Sequence, residues 1–452
     1  MTSLTAELAN FAHQPNFPRL PQRAIEIVQS GFIDTIGTML AGRHEPVVKI
    51  VQQHVAARQS HAAEAFVLFG PQKASSADAA LINTTAGHAL DFDDVALGGH
   101  PSTVLVPAIL AEGQRLGLTG EDALRAYLVG YEVWAELAAR ESDAYHLKGW
   151  HPTAVLGTVA AAAAVAHLNG LSAKTCQHAI ALACSMAAGL VANFGTMTKP
   201  LHAGRAASNA IEAVRLAAPG LTAAPDAVEH PAGYLSALSP KQAVDRTSSA
   251  SGLGQILRIL DSGLSIKKYP TCYATHRVID GVLDLCREHA FKAQEVKTIR
   301  VQIGPTQASM LRNHSPETGL EAKFSLEFAV ASALFAGKVG LAELTDQFVA
   351  ESGIRQLMPK VEISIIDTVC PIEPFFALND SVSIALHDGR SFDSGEIRFA
   401  RGNAKLPLQG SELQSKFLDC TAGIEGLNNK ALFNNLSNLR EFGPLQQMAT
   451  FA

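Results

Sequence analysis

The chain is 452 residues long, 47% hydrophobic and 17% charged, which excludes an intrinsically disordered polypeptide and provides apolar side chains for about two or three domain cores. Its 36 Lys and Arg against 42 Asp and Glu give a net charge of −6, and no basic run forms a patch that would neutralise phosphates, so nucleic acid is not an expected partner. The six cysteines, Cys176, Cys184, Cys272, Cys286, Cys370 and Cys420, include no C-x-x-C pair, so zinc-ribbon and iron–sulfur spacings are missing and a reduced, cytoplasmic setting is expected.

Residues Met1 to Pro15 are acidic and polar where a signal peptide needs a basic and then an apolar region, so export is not expected. From Arg23 to Ala41, Ile25, Val28, Phe32, Ile36, Met39 and Leu40 recur at spacings of three and four, predicting an amphipathic helix. Thr119 with Asp122 three residues on predicts a capped helix over Ala123 to Arg140, and Ser172 predicts a second cap. The most apolar stretches, Ala154 to Leu168 and Ala179 to Phe194, are too short and too interrupted to span a bilayer, and both are expected to be buried helices. The small side chains of Ala160 to Ala166 allow close helix packing.

No run of period-two alternation occurs before about residue 262. Val296 to Ile303, Val361 to Ile365 and Val382 to Leu386 then read as strands, with a helix over Phe324 to Phe335 and a turn at Asp388-Gly389. Helical patterning returns at Leu413 to Leu418 and Leu427 to Leu436. The expected organisation is mainly α: an all-helical domain from residues 1–262 plus 401–452, and an inserted α+β domain from 263–400.

Four clusters combine ionisable groups with glycine or proline, the composition of a shaped polar loop. The first is His88-Ala-Leu-Asp91-Phe-Asp-Asp94, then Gly98-Gly-His100-Pro-Ser102. In a helix, residues 88, 91 and 94 would share a face; a solvated acidic helix end is the competing reading. The aspartate order does not reproduce the D-D-x-x-D array of magnesium-dependent helical enzymes, so no metal is expected. The second is Tyr145-His146 with Trp150-His151-Pro152-Thr153, where Pro152 fits the first turn of a helix and sets His151 at its positive end. Third comes Thr198-Lys199-Pro-Leu-His202-Ala-Gly-Arg205, a candidate anion site or a solvated basic turn between helices. The fourth, Ile266-Lys267-Lys268-Tyr-Pro-Thr-Cys272-Tyr-Ala-Thr-His276, stands at the domain join, where its lysines would face a cleft or solvent. Glycine-rich nucleotide loops and a G-x-S-x-G elbow are missing.

In this order the motifs H-A-L-D-F-D-D, G-H-P-S, W-H-P-T, T-K-P-L-H-A-G-R-A-A and K-K-Y-P-T-C-Y-A-T-H resemble the MmgE/PrpD family over nearly the whole chain. That resemblance implies a large helical domain built from both chain ends with a smaller α+β lid, a homodimer, an active site in the cleft between domains, and catalysis without a metal or organic cofactor. It implies a small polycarboxylate substrate and a site lined by Asp91, His100, His151, Lys199 and Lys267. The family's cis-aconitate decarboxylase branch carries a threonine soon after D-F-D-D and a histidine after the lysine–aromatic–proline motif, where this chain has Val95 and Cys272. The resemblance therefore implies an epimerase acting on a substrate such as iminodisuccinate, with a hydro-lyase or decarboxylase as the alternative and a non-catalytic or metal-binding helical protein as the reading of another class. On that basis Lys199 with Tyr145 or His151 would transfer protons, Asp91 would orient a cationic neighbour, and His100, Lys267, Lys268, His202, Arg205 and Cys272 would hold substrate.

Overall fold

The computed structural model describes residues 3–17, 19–58 and 62–448. Residues 1–2 and 449–452, which the sequence assigns to the ends of the helical domain, lie outside the described residues, as do 18 and 59–61. The chain divides into two compact units, Met1–Ile266 with Gln409–Ala452, and Lys267–Leu408. The fold is mainly α, with strands concentrated in the second unit.

The first unit contains α1 (Leu4–His13), α2 (Gln22–Gly42), α3 (Pro46–Ala56), α4 (Ser76–Ala89), α5 (Pro101–Leu116), α6 (Gly120–Ala139), α7 (Pro152–Leu168), α8 (Ala173–Met186) and α9 (Thr198–Ala217), joined by the C-terminal helices Gly410–Cys420 and Asn429–Ser437. A two-residue antiparallel pair, β1 (Ala65–Phe66) and β2 (Lys73–Ala74), interrupts the helices, which sequence periodicity does not reveal. The cap expectations hold. The Thr119 hydroxyl accepts from the Asp122 N–H while the Thr119 N–H donates to Asp122 Oδ2, and Ser172 caps α8 through the Thr175 N–H.

Helix α7 is apolar all round, so it is buried all round: every residue from Pro152 to Ala166 is inside, packed against α5, α6, α8 and α9. Between α4 and α9 the backbones come closer still. A Cβ on Gly204 of α9 would lie 2.3 Å from Thr85 Oγ1 and 2.8 Å from the Leu81 carbonyl oxygen of α4, so only glycine fits.

Three expectations are corrected. The stretch Ala179 to Phe194 is helical only to Met186, because the chain then pairs with residues 149–151: the His151 N–H donates to the Gly189 carbonyl and the Val191 N–H to the Gly149 carbonyl. Residues 88, 91 and 94 do not share a helix face, since α4 ends at Ala89 and Asp91 takes a left-handed φ of 53°. As for the joins at 262/263 and 400/401, residues 263–266 pack with the first unit, Ser265 pairing with Val95, whereas Arg401 belongs to the second, its guanidinium on Asp280 and Asp284.

The second unit is built on a four-stranded sheet of order β4-β3-β5-β6, from β3 (Val296–Ile303), β4 (Val361–Ile365), β5 (Ser381–Leu386) and β6 (Ser391–Asp393). β3 runs parallel to β4 and antiparallel to β5, and Gly389 supplies the positive φ of the β5–β6 turn. Val296, Ile299, Val301 and Ile303 face a core shared with helices His276–His289 and Leu326–Ala336. No helix among the described residues is long and apolar enough to cross a membrane.

Gly204→Ala is expected to push α9 off α4 and to cost about 2 kcal/mol, the usual scale of overpacking, read as a lower midpoint in denaturant unfolding at unchanged slope.

Candidate active site

Past the end of α4 the chain forms the loop Leu90 to His100, which leads into α5. Gly99 allows this loop to lie flat on its support, since a Cβ there would meet the Trp134 ring at 2.8 Å and the Thr153 nitrogen at 3.1 Å. Two short antiparallel bridges, Val95 with Ser265 and Ala96 with Gly99, fix its middle. The His100 N–H donates to Thr153 Oγ1, which joins the loop to the first turn of α7.

Asp93 is fully buried and sits between two imidazoles: His88 Nδ1 lies 2.8 Å and His100 Nδ1 3.0 Å from the same carboxylate oxygen. Asp91, two residues earlier, accepts from Lys199 Nζ at 2.6 Å, and His100 Nε2 stands 3.8 Å from the same Asp91 oxygen. Lys199 belongs to the first turn of α9, so Thr198 to Arg205 opens that helix and is not a turn between helices. The Lys199 ammonium lies 5.4 Å from the centre of the Phe194 ring, whose other neighbours are His151, edge-on at 4.8 Å, and His146 at 5.9 Å. His151 caps α7 with Pro152 behind it, as expected, and its Nδ1 is 3.4 Å from Nδ1 of His202. His88 stacks on His151 at 5.8 Å and meets His100 edge-on at 4.6 Å. Five imidazoles, one ammonium and two carboxylates are thus brought together from α4, the 90–100 loop, the 145–151 segment and α9.

Burial pushes the His88 imidazole down to about 4, with Asp93 opposing, so at neutral pH it is a neutral ring donating to a carboxylate. Burial would raise Asp93, but His88 and His100 outweigh it and hold this carboxyl well below the ordinary range. His151 is held well below its ordinary value by burial and then by His88, Lys199, His100 and His202, while His202 and His146 are lowered mainly by burial. On the far side of the loop Asp94 is pushed well above the carboxylate range by burial and by Asp34, and its Oδ2 accepts from Ser102 Oγ, which also pairs with the Tyr127 hydroxyl.

Of the residues singled out from sequence, Asp91, His100, His151, Lys199 and His202 converge here. Tyr145 is buried with its hydroxyl donating to the Leu137 carbonyl at 3.3 Å, and burial raises its phenol above the ordinary value. Arg205 is half-buried one turn beyond His202 on α9. Lys267, Lys268 and Cys272 belong to the second unit, where Lys267 is buried and the Cys272 N–H donates to the Lys323 carbonyl. The sequence reading places His88, Asp93 and Asp94 in its first cluster but gives them no role in the site. Phe194 and Lys416 carry no local signal, being an ordinary apolar residue and a helical lysine.

His88, Asp91, Asp93 and His100 offer four ligand atoms within 4.8 Å of one another. In the structure Asp91 is paired with the Lys199 ammonium, and His88 and His100 both meet Asp93 through Nδ1.

The lowered histidines set the sign of one pH effect. Between about pH 4 and 6.5 the unfolded chain binds a proton on His88 that the folded chain does not, so this group's stabilisation is full above that window and is lost as pH falls through it. The shift corresponds to roughly 3 kcal/mol. Thermal unfolding between pH 7 and pH 4.5 is expected to fall less steeply in His88→Asn, whose side chain does not titrate, than in the wild type; equal slopes would contradict a neutral buried His88.

Two known family models together cover most of the chain. The model of the MmgE/PrpD N-terminal domain matches residues 6–247 and that of the MmgE/PrpD C-terminal domain matches residues 269–437. Cis-aconitate decarboxylase of Homo sapiens is 28% identical over 431 residues, 92% of this chain and 87% of that protein. Its namesake in Mus musculus is equally identical over 431 residues, and that of Aspergillus terreus (strain NIH 2624 / FGSC A1156) is 26% identical over 303 residues, 64% of this chain and 61% of its own. The chain belongs to the MmgE/PrpD family, a family of enzymes.

Proposed function

We propose that this enzyme exchanges the α-proton of a small polycarboxylate, and that its net reaction is epimerisation of a substrate such as iminodisuccinate. The observation that carries the reading is the pairing of two unlike proton carriers on one aromatic ring: the Lys199 ammonium, ion-paired to Asp91, and the His151 imidazole, kept neutral by burial and by its cationic neighbours, both against Phe194. Epimerisation requires that pairing, because one group must remove the α-proton and a second must return a proton to the opposite face. In the forward direction His151 takes the proton, the electron pair of the C–H bond moves onto the adjacent carboxylate, and Lys199 delivers a proton from the other side; the reverse reaction exchanges the roles.

The negative charge that develops on the carboxylate oxygens is met by His100, His202 and Arg205. Preorganised donors of this kind act most strongly where water is excluded, and removing one costs about 3 kcal/mol of barrier, close to a hundredfold in rate. Asp91 is assigned the role of orienting Lys199. Tyr145 is not assigned the second proton-transfer role, since its hydroxyl is engaged by the Leu137 carbonyl.

A second reading, decarboxylation, is favoured by the names of the relatives, which are cis-aconitate decarboxylases. It calls on the same stabilisation of a carbanion beside a carboxylate, with carbon dioxide leaving in place of a proton. Val95 and Cys272 set this chain apart from the decarboxylase pattern to which it is otherwise similar.

Proton NMR in deuterium oxide separates the two. Interconversion of iminodisuccinate stereoisomers with α-deuteration is expected, and folded Lys199→Ala should lose that exchange by at least about a hundredfold. Unchanged exchange in the variant would remove Lys199 from the reaction, and loss of a carboxyl group from cis-aconitate by the wild type would establish the second reading. Preincubation with a strong chelator is expected to leave the wild-type rate unaltered; loss of activity that magnesium or zinc restores would place a metal on the Asp91–Asp93 network after all.

A further inference from the structure

Lys416 lies in the helix Gly410–Cys420, 324 residues along the chain from the loop it touches. Its ammonium is buried and has three partners. It donates to the Phe92 carbonyl at 2.8 Å, it stands over the Phe92 ring at 3.8 Å from the ring centre, and it is ion-paired at 2.5 Å with Asp34 of α2. Phe92 sits between Asp91, which holds Lys199, and Asp93, which holds His88 and His100.

Two physical arguments say that this contact does more than stabilise. A buried lysine–aspartate pair is a poor source of stability, because desolvating both charges consumes most of their attraction, and an apolar pair of similar volume would usually serve as well or better. In addition, Asp91 is a non-glycine residue in the left-handed region, at φ 53°, a conformation that persists only where the surroundings over-determine it. On one side its N–H donates to the His88 carbonyl at 3.2 Å. On the other side the carbonyl of the following residue, Phe92, is the one that Lys416 holds.

We propose that Lys416 is a positioning residue for the candidate site: by gripping the Phe92 carbonyl and ring it locks Asp91 in the left-handed conformation that carries its carboxylate to Lys199. Asp34 supplies the counter-charge that lets the ammonium remain in the interior. The far end of the chain thereby governs the geometry of a loop near residue 91. The consequence for turnover rests on the proton-exchange reading above; the consequence for geometry does not.

The crystal structure of Lys416→Met tests the geometric claim without reference to any substrate. Asp91 is expected to leave positive φ and its contact with Lys199 to open beyond 4 Å, and a variant that keeps both would overturn the proposal. Should Lys416→Met fail to fold, Asp34→Asn combined with Lys416→Met removes the ion pair as a unit without stranding a buried charge, and its structure is judged by the same two features. A kinetic cycle then separates positioning from general loss of structure. Lys416→Met is expected to lower kcat/KM about 10- to 100-fold in the wild type and by less than about threefold in an Asp91→Asn background, since both changes act through one carboxylate. Losses that multiply would mean that Lys416 acts elsewhere. Should the wild type prove inactive on every polycarboxylate tried, the proton-exchange reading falls, while the crystallographic arm still decides the role of Lys416.

Discussion

The ion pair between Asp91 and Lys199 ties the chain just past the end of one buried helix to the first turn of another, and the imidazoles of the candidate site are gathered around it. For the two groups to meet, α4 and α9 must pack at a distance that only a glycine permits, and Asp91 must abandon helical geometry immediately after α4 stops. Neither condition is favourable alone. Each is supplied by an unrelated part of the first unit: by the close approach of Gly204 to Leu81 and Thr85, and by the anchoring of residues 92–94 from below.

Concentrating five imidazoles near one ammonium has an electrostatic price that the protein meets by keeping rings uncharged. His88 and His151 are the clearest cases, and Asp93 provides the negative charge against which His88 and His100 are oriented. An array of this kind presents N–H donors beside the Lys199 ammonium without accumulating a large positive charge. On the proton-exchange reading proposed above, a polyanion entering it would meet donors already aimed, which is the condition under which hydrogen bonds contribute to a transition state and not merely to binding.

Much of the scaffold is legible in the sequence because its determinants are local. The Thr119–Asp122 box, the Ser172 cap and Pro152 after His151 each mark a helix start by chemistry confined to one turn, and the alternation of Val296 to Ile303, Val361 to Ile365 and Val382 to Leu386 marks strands directly. What escapes is set by partners remote in the chain. Residues 187–194 prolong an apolar run, yet Gly189 and Asn193 weaken a helix there, and residues 149–151 offer them a backbone pairing instead. Within the site, the motif residues Asp91, His100, His151, Lys199 and His202 were visible as clusters, yet the left-handed turn at Asp91 has no glycine to announce it. Phe194, which gathers Lys199, His151 and His146 on one ring, is an apolar residue at the end of an apolar run and reads as core.

The division of the first unit between the two ends of the chain has a consequence for biosynthesis. A ribosome releases the segment through Ile266 first, then all of Lys267–Leu408, and only afterwards the helix that bears Lys416. The second unit, with its contacts confined to one continuous stretch, can therefore reach its native state while the first still lacks its closing helices. During that interval α2 presents Asp34 without a counter-charge and the 90–94 loop has nothing to hold the Phe92 carbonyl. Vectorial synthesis thus leaves the loop of the candidate site among the last parts to settle, and a nascent chain cut short before residue 416 would have the helices and histidines of that site without the lysine that grips Phe92.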